Sequence, residues 1–147
     1  KVQQASLHLS EMMKEFRKIH QFIVFTVPSP FQHGLATYSS NPETYLQLSD
    51  FYKTKRDRLY NGLLTTKLKP YACPGTFFLL ANYREVSDLN ESDFSMWLTK
   101  VHGVTVIPVS AFYSKATKEQ SNQGIVRFCF AKKDLTIDQA VERLSCL

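Results

Sequence analysis

Several familiar sequence patterns are absent from this 147-residue chain, and each absence excludes a class of protein. No apolar run approaches the roughly 18 to 20 residues that a membrane-spanning helix requires, so we expect no membrane partner. No GxGxxG or Walker A motif is present, which argues against a nucleotide-phosphate cradle, and no GxSxG motif marks a nucleophilic serine. The sequence therefore offers no self-contained catalytic nucleophile or base.

Cysteine and histidine are sparse, with three and four residues. Cys73, Cys129 and Cys146 form an odd set without a CxxC pair, which predicts reduced thiols instead of a disulfide framework or a zinc site. The histidines have no metal-ligand spacing, so we predict no metal site. No charged-then-apolar start resembles a signal peptide, and the expected compartment is the cytoplasm.

The charge of the chain gives only weak information about its partners. Its net charge is +5, and its 44% hydrophobic and 21% charged residues are typical of a soluble globular protein. Basic residues group at 14–18 and 53–58. A nucleic-acid surface is one interpretation of them, but no aromatic-basic recognition motif accompanies either group. We therefore expect no nucleic-acid partner and rank that function well behind the others.

Hydrophobic periodicity and capping signals predict a helix-rich start followed by an α+β layer. From residue 49 onward the predicted order is helix, strand, strand, helix, strand, strand, helix. Ser29, Ser49, Asn90 and Thr136 are the predicted N-caps. The predicted helices are 10–20, 30–38, 49–64, 90–102 and 136–144, and the predicted strands are 68–71, 76–81, 104–109 and 125–131.

Arg127 lies in the middle of the otherwise apolar run 125–131, whose composition predicts a buried strand. An unpaired buried charge is too costly to keep, so the guanidinium must reach solvent or meet an anion. Its natural planar partner is a carboxylate held by two parallel hydrogen bonds. The alternative is an arginine on an edge strand that reaches water along its own stem.

Four sequence blocks, together with residues 16–21 and 51–57, carry a family resemblance. The blocks are Pro74 to Leu80, Trp97 to Val104, Val106 to Tyr113 and Val126 to Lys133. In this order they closely resemble the C-terminal part of class I (fold type I) pyridoxal-phosphate-dependent aminotransferases. The branch they look most like is that of the kynurenine and methionine (glutamine-type) aminotransferases, and the resemblance covers about residues 14–147.

The resemblance implies an α+β fold in two parts. Residues 1–48 would be the helical, incomplete end of the large cofactor domain. Residues 49–147 would be the small C-terminal domain, a small sheet with helices packed on it.

The resemblance also implies roles for particular residues. Arg127 matches the arginine that binds the substrate α-carboxylate. Phe25 and Thr26 match a dimer-interface segment that lines the active site of the partner subunit. Gly75 matches a glycine in the turn before a small-domain strand, where a missing side chain permits a close backbone turn. Residues 107–110 match a loop that moves with the small domain near the substrate.

The implied function is transfer of an amino group between an amino acid and a 2-oxo acid through pyridoxal phosphate, in a homodimer. In the family, the Schiff-base lysine and the other cofactor-binding groups precede the residues present here. We therefore expect no catalytic or cofactor-binding residue in this chain, and we expect the chain alone to be inactive and to bind no pyridoxal phosphate. The alternative is a cofactor-free binding or interaction module that retains the small-domain fold.

Overall fold

A computed structural model describes residues 2–23, 25–114 and 122–147, so the polar loop predicted at 114–124 lies largely outside the described residues. The chain divides into two compact units, Lys1–Leu46 and Gln47–Leu147. This division falls two residues before the domain boundary predicted at residue 48. The assignment of the first unit to the end of a large domain stays a prediction.

The first unit is helical. Its helices are α1 (Val2–Ile23), α2 (Ser29–Ser39) and the short α3 (Glu43–Leu46), which the sequence did not predict. Ser29 is not the N-cap of α2, because the helix begins one residue earlier than expected. The Pro28 carbonyl instead accepts the amide hydrogens of Phe31 and Gln32.

The second unit is built on a four-stranded antiparallel sheet. Its strands are β1 (Lys69–Pro70), β2 (Phe78–Asn82), β3 (Ile107–Pro108) and β4 (Ile125–Cys129), in the spatial order β1-β2-β4-β3. The helices α4 (Leu48–Leu64), α5 (Glu91–Trp97) and α6 (Asp134–Leu144) accompany it. The predicted order of elements and the α+β class are confirmed.

The two faces of this sheet differ in burial. Leu79 and Ala81 of β2 and Val126 and Phe128 of β4 are buried in the same core as the apolar side chains of α4 and α6. Alternate residues of a strand point to opposite faces, so Arg127 lies on the other, open face. β4 is therefore half-buried, and the prediction of a fully buried strand is wrong.

Helix α5 runs into a π-helical turn, Leu98–His102, which ends at Gly103 in the left-handed conformation (φ 66°). Phe94, Leu98 and Val101 follow one another at i, i+4 and i+7, a spacing that predicts one buried face in an α-helix. Phe94 and Leu98 are fully buried, but Val101 is 63% exposed. The π-helix has a wider turn than the α-helix, so the i+7 spacing counted from Phe94 no longer returns to the same face, and the inward position that it predicts for Val101 is wrong.

The predicted cap at Asn90 is confirmed, because its side chain accepts the Asp93 amide hydrogen. The caps predicted at Ser49 and Thr136 are wrong, since α4 begins at Leu48 and α6 at Asp134. An acidic residue at a helix start is favoured by the helix dipole, which suits Asp134 to this position.

Three ion pairs join α4 to α6, and in the longest of them Arg58 Nη1 lies 3.8 Å from Asp134 Oδ2. Lys55 Nζ lies 2.8 Å from Asp134 Oδ1 and 2.7 Å from the Lys132 carbonyl oxygen. Arg58 donates to both Asp138 oxygens, at 2.5 and 2.7 Å. The hydrogen bond from Lys55 lowers the pKa of Asp134, and the hydrogen bond from Arg58 lowers the pKa of Asp138.

Candidate functional site

Arg127 lies in an inner strand of the sheet, between two neighbours. It pairs with Leu80 of β2 on one side and with Ile107 of β3 on the other. Directly paired residues share a face, so both aliphatic side chains flank the arginine on the open face. Because β4 is not an edge strand, the interpretation of Arg127 as an edge-strand arginine does not apply.

Two phenylalanine rings cover the Arg127 guanidinium. Its central carbon lies 3.9 Å from the ring centroid of Phe78 and 4.6 Å from that of Phe112. Both rings attract the cation through their π faces. The guanidinium therefore lies against two aromatic rings, and its N–H donors are the groups able to bind a ligand.

The hydrogen bonding of Arg127 differs from that of the other arginines in residues 47–147. Within the described part of the chain, no hydrogen bond or ion pair reaches its guanidinium, and its Nε atom is buried without a partner. A buried donor without an acceptor costs about 1–3 kcal/mol. The other four arginines of this unit donate to carboxylates or carbonyls, and they are Arg56, Arg58, Arg84 and Arg143.

The surface around Arg127 is apolar and accessible. Leu80 is 38% exposed, Ile107 is 40% exposed and Phe112 is 62% exposed. Phe112 ends a 3-10 turn, Val109–Phe112, and Phe78 belongs to β2. Neither ring was predicted to be a site residue, although both lie in blocks that carry the family resemblance.

The turn before β2 corrects one expectation. Gly75 does not have a positive φ, and a Cβ atom added there would meet nothing within 4 Å. The left-handed residue is the next one, Thr76, with φ 63°. The close turn therefore does not depend on the missing side chain of Gly75.

Phe25 and Thr26 belong to the first unit. Phe25 is 86% exposed, and the Thr26 hydroxyl lies 3.4 Å from the Val27 carbonyl oxygen. Nothing in the chain itself assigns a ligand to either residue. Their role beside a partner subunit stays a prediction.

The basic groups considered for nucleic acid are largely engaged inside the chain. Lys14 pairs with Glu11 and Lys18 with Glu15 on α1, at 2.7 and 2.8 Å. In the second group, Lys55 and Arg58 hold α6, as described above, and Arg56 is bound by Asp57. These ion pairs reduce the free positive charge that a phosphate backbone would attract.

The residues around Arg127 do not fit the whole cofactor that the resemblance implies. Its described neighbours are aromatic and aliphatic, and they supply neither an amine nor a phosphate cradle. Lys55, the buried lysine in the described part of the chain, is already held by Asp134. Among described residues there is also no group of three or more potential metal ligands, and no helix is long and apolar enough to cross a membrane.

Comparisons with known proteins agree on one family. Residues 5–144 match the family described as aminotransferase class I and II. The chain is 44% identical over 131 residues to a methionine aminotransferase of Escherichia coli, covering 88% of this chain and 33% of that protein. It is 32% identical over 154 residues to the human kynurenine–oxoglutarate transaminase 3, covering 93% of this chain and 34% of that protein.

Solved structures give the same result. A crystal structure from Escherichia coli, described as having a methionine aminotransferase function, superimposes with a TM-score of 0.81 at 44% identity, over 91% of this chain and 34% of that one. The N-succinyldiaminopimelate aminotransferase of Mycobacterium tuberculosis gives 0.77 at 30% identity, over 92% and 35%. The chain spans about a third of the length of the relatives it matches.

Proposed function

Since the chain belongs to the class I and II aminotransferase family, we propose that it supplies the carboxylate-binding part of a pyridoxal-phosphate-dependent aminotransferase. The whole protein would move an amino group between an amino acid and a 2-oxo acid. The proposal concerns how Arg127 and its surroundings bind the two substrates, and in it the cofactor is held outside the Arg127 site.

The observation that carries this proposal is the unpartnered guanidinium of Arg127 between Phe78 and Phe112. A guanidinium carries its N–H donors in one plane, and a carboxylate is a planar acceptor that accepts two such bonds at once. The low polarity of the surrounding side chains strengthens the attraction between the two charges. A carboxylate would also give the arginine the partner that the chain lacks.

One anchor can serve both half-reactions, because the amino acid and the 2-oxo acid share an α-carboxylate. An arginine side chain carries a permanent charge in proteins, so Arg127 contributes position and charge but transfers no proton. The exposed apolar side chains of Leu80, Ile107 and Phe112 favour a substrate with an apolar side chain. Methionine, the substrate in the name of one relative, is therefore a suitable test ligand.

Phe25 and Thr26 are proposed to line the active site of the partner subunit in a homodimer. Support comes from their match to the family segment and from the exposure of Phe25. In the complete enzyme, Phe25→Ala should lower the activity of the partner subunit's site. Mixed dimers that carry Phe25→Ala on one subunit and Arg127→Gln on the other would keep one unaltered site, whereas both variants on one subunit would leave none.

We further propose that the isolated chain does not catalyse transamination. The second candidate function, a cofactor-free binding module, is favoured by the self-contained core of residues 47–147, in which Leu63, Leu79 and Phe94 are fully buried. Supplying pyridoxal phosphate, methionine and 2-oxoglutarate to the purified chain tests whether the chain alone catalyses transamination. Turnover above that of the free cofactor would refute it.

The carboxylate site itself is tested by titrating the purified chain with L-methionine and with its 2-oxo acid. Arg127→Gln should weaken both affinities by about tenfold or more, the scale of a charge-assisted hydrogen bond. Arg17→Gln makes the same charge change on the exposed surface of α1 and should have no effect. The amino alcohol of methionine, which lacks the carboxylate, should bind equally weakly to all three proteins. Equal affinity of the two variants for L-methionine would overturn the proposal.

A further inference from the structure

Glu91 is a buried carboxylate at the start of α5, and it is 1% exposed. Its Oε2 accepts the Ser110 amide hydrogen with an N···O distance of 2.6 Å. Its Oε1 accepts the Ile125 amide hydrogen at 3.0 Å. A buried carboxylate is normally kept only where such partners compensate for lost hydration.

The two segments that Glu91 connects are the ones that carry the Arg127 site. Ser110 belongs to the 3-10 turn that ends in Phe112, and Ile125 is the first residue of β4, two positions before Arg127. The ring of Phe112 approaches the guanidinium to 4.6 Å. A single side chain thus joins the backbone that carries the ring to the backbone that carries the cation.

We propose that Glu91 is a positioning residue, whose carboxylate fixes Phe112 over Arg127 and so sets the geometry of the carboxylate-binding edge. This inference rests on the proposed function of Arg127. It extends that function to a residue that touches neither the guanidinium nor the ligand.

The chemistry of the two bonds explains why a glutamate suits this position. An ionised carboxylate offers two acceptor oxygens and no donor, so it can serve two amide hydrogens at once. A glutamine would turn an NH₂ group toward one of them and lose that bond. The first turn of α5 also favours a negative charge through the helix dipole.

The decisive variant is therefore Glu91→Gln, which keeps the size of the side chain. Its matched control is Glu85→Gln, because Glu85 is an exposed carboxylate paired with Lys69 on the surface. A third variant, Phe112→Leu, removes the ring directly. All three are compared with the unaltered chain.

The first readout is the chemical shift of the Arg127 Nε proton in a proton–nitrogen correlation spectrum. The ring currents of Phe78 and Phe112 should shift the resonance of this proton, because both rings lie close to the guanidinium. Glu91→Gln should move its shift toward the value in Phe112→Leu, while Glu85→Gln should leave it unchanged. A general loss of stability would not produce this selective change in a folded chain.

The second readout is the affinity for L-methionine. Glu91→Gln should weaken it by about tenfold, the scale of one lost charge-assisted hydrogen bond. The double variant with Phe112→Leu should lose little more than either single variant, because both act through the same ring. An unchanged proton shift and unchanged affinity in Glu91→Gln would overturn the inference.

The failure of the inference and the failure of the proposed function are distinguishable. If Arg127→Gln weakens binding and Glu91→Gln does not, only the role of Glu91 is refuted. If Arg127→Gln leaves binding intact, the proposed function is refuted, and the role of Glu91 in substrate binding is refuted with it.

A measurement on the unaltered chain decides the case in which Glu91→Gln does not fold. Binding of L-methionine at Arg127 should reduce local opening of the two segments that Glu91 joins, because coupling between two sites is reciprocal. Saturating L-methionine should slow hydrogen exchange of the Ser110 and Ile125 amides by about threefold or more if their opening is local. Unchanged exchange at both amides would overturn the inference.

Discussion

Replacing Arg127 by methionine should make the isolated chain more stable. The substitution removes the buried Nε donor that has no partner and keeps an unbranched side chain between Phe78 and Phe112. Methionine fills such gaps well and makes favourable sulfur–aromatic contacts. The free energy of unfolding should rise if this arginine serves a ligand and not the fold, as we propose.

The expected rise in the free energy of unfolding is the sum of three contributions. Relief of the unpartnered donor is worth about 2 kcal/mol. Loss of the two cation–π contacts costs about 1.5 kcal/mol, and new sulfur–aromatic contacts return about 0.5 kcal/mol. The sum is a gain of about 1 kcal/mol, which corresponds to a rise in melting temperature of about 4 °C for a unit of this size.

Urea denaturation followed by tryptophan fluorescence measures this change, since Trp97 packs against the core. The matched control is Arg58→Met, which breaks the bonds to Asp138 and should lower the free energy of unfolding slightly, because the pair is exposed. If Arg127→Met were destabilising to the same degree as Arg58→Met, the view of Arg127 as an unsatisfied ligand-binding group would be refuted.

Three further predictions concern the fold. The pKa values of Asp134 and Asp138 are lowered in the folded chain, so their contribution is present above the ordinary value of 3.8 and is lost as the pH falls through the folded pKa. The urea concentration at the unfolding midpoint should therefore drop on acidification below about pH 5. The drop should be smaller in the variant that carries both Asp134→Asn and Asp138→Asn, and an equal drop in the two proteins would contradict this prediction. Gly62→Ala would place a Cβ against the Val141 side chain, so it should lower the free energy of unfolding by about 1–3 kcal/mol in urea denaturation and be partly rescued by Val141→Ala. Desolvation raises the pKa of Tyr83 to about 12, so one tyrosine should ionise last in an ultraviolet titration, and Tyr83→Phe should remove that late step.

Local sequence signals were sufficient for the order of elements and for much of the core. Ile137 and Leu144 are seven residues apart, a spacing that predicts one helix face, and both are buried on α6. The signals failed where tertiary geometry decides. The π-helical turn moved Val101 to the surface, and the pairing of β4 with a strand on each side put Arg127 in the middle of the sheet.

The site was only partly accessible to sequence reasoning for the same reason. A charge in an apolar run singled out Arg127 as a candidate, and the family resemblance supplied the prediction that it binds a carboxylate. The covering rings come from β2 and from the 3-10 turn, which are distant in sequence, so only the folded chain brings Phe78 and Phe112 to the guanidinium. Glu91 gave no signal of its own, because an acidic residue in the first turn of a helix is common.

The alternation of β4 separates two evolutionary constraints within one strand. Val126 and Phe128 must pack in the core, whereas Arg127 and Cys129 are constrained by any molecule that binds at the open face. A relative could change the ligand by substituting alternate positions without altering the packed layer beneath them. An insertion or deletion of one residue in this strand would exchange the two sets, so we expect substitutions, and not changes of length, to diversify it.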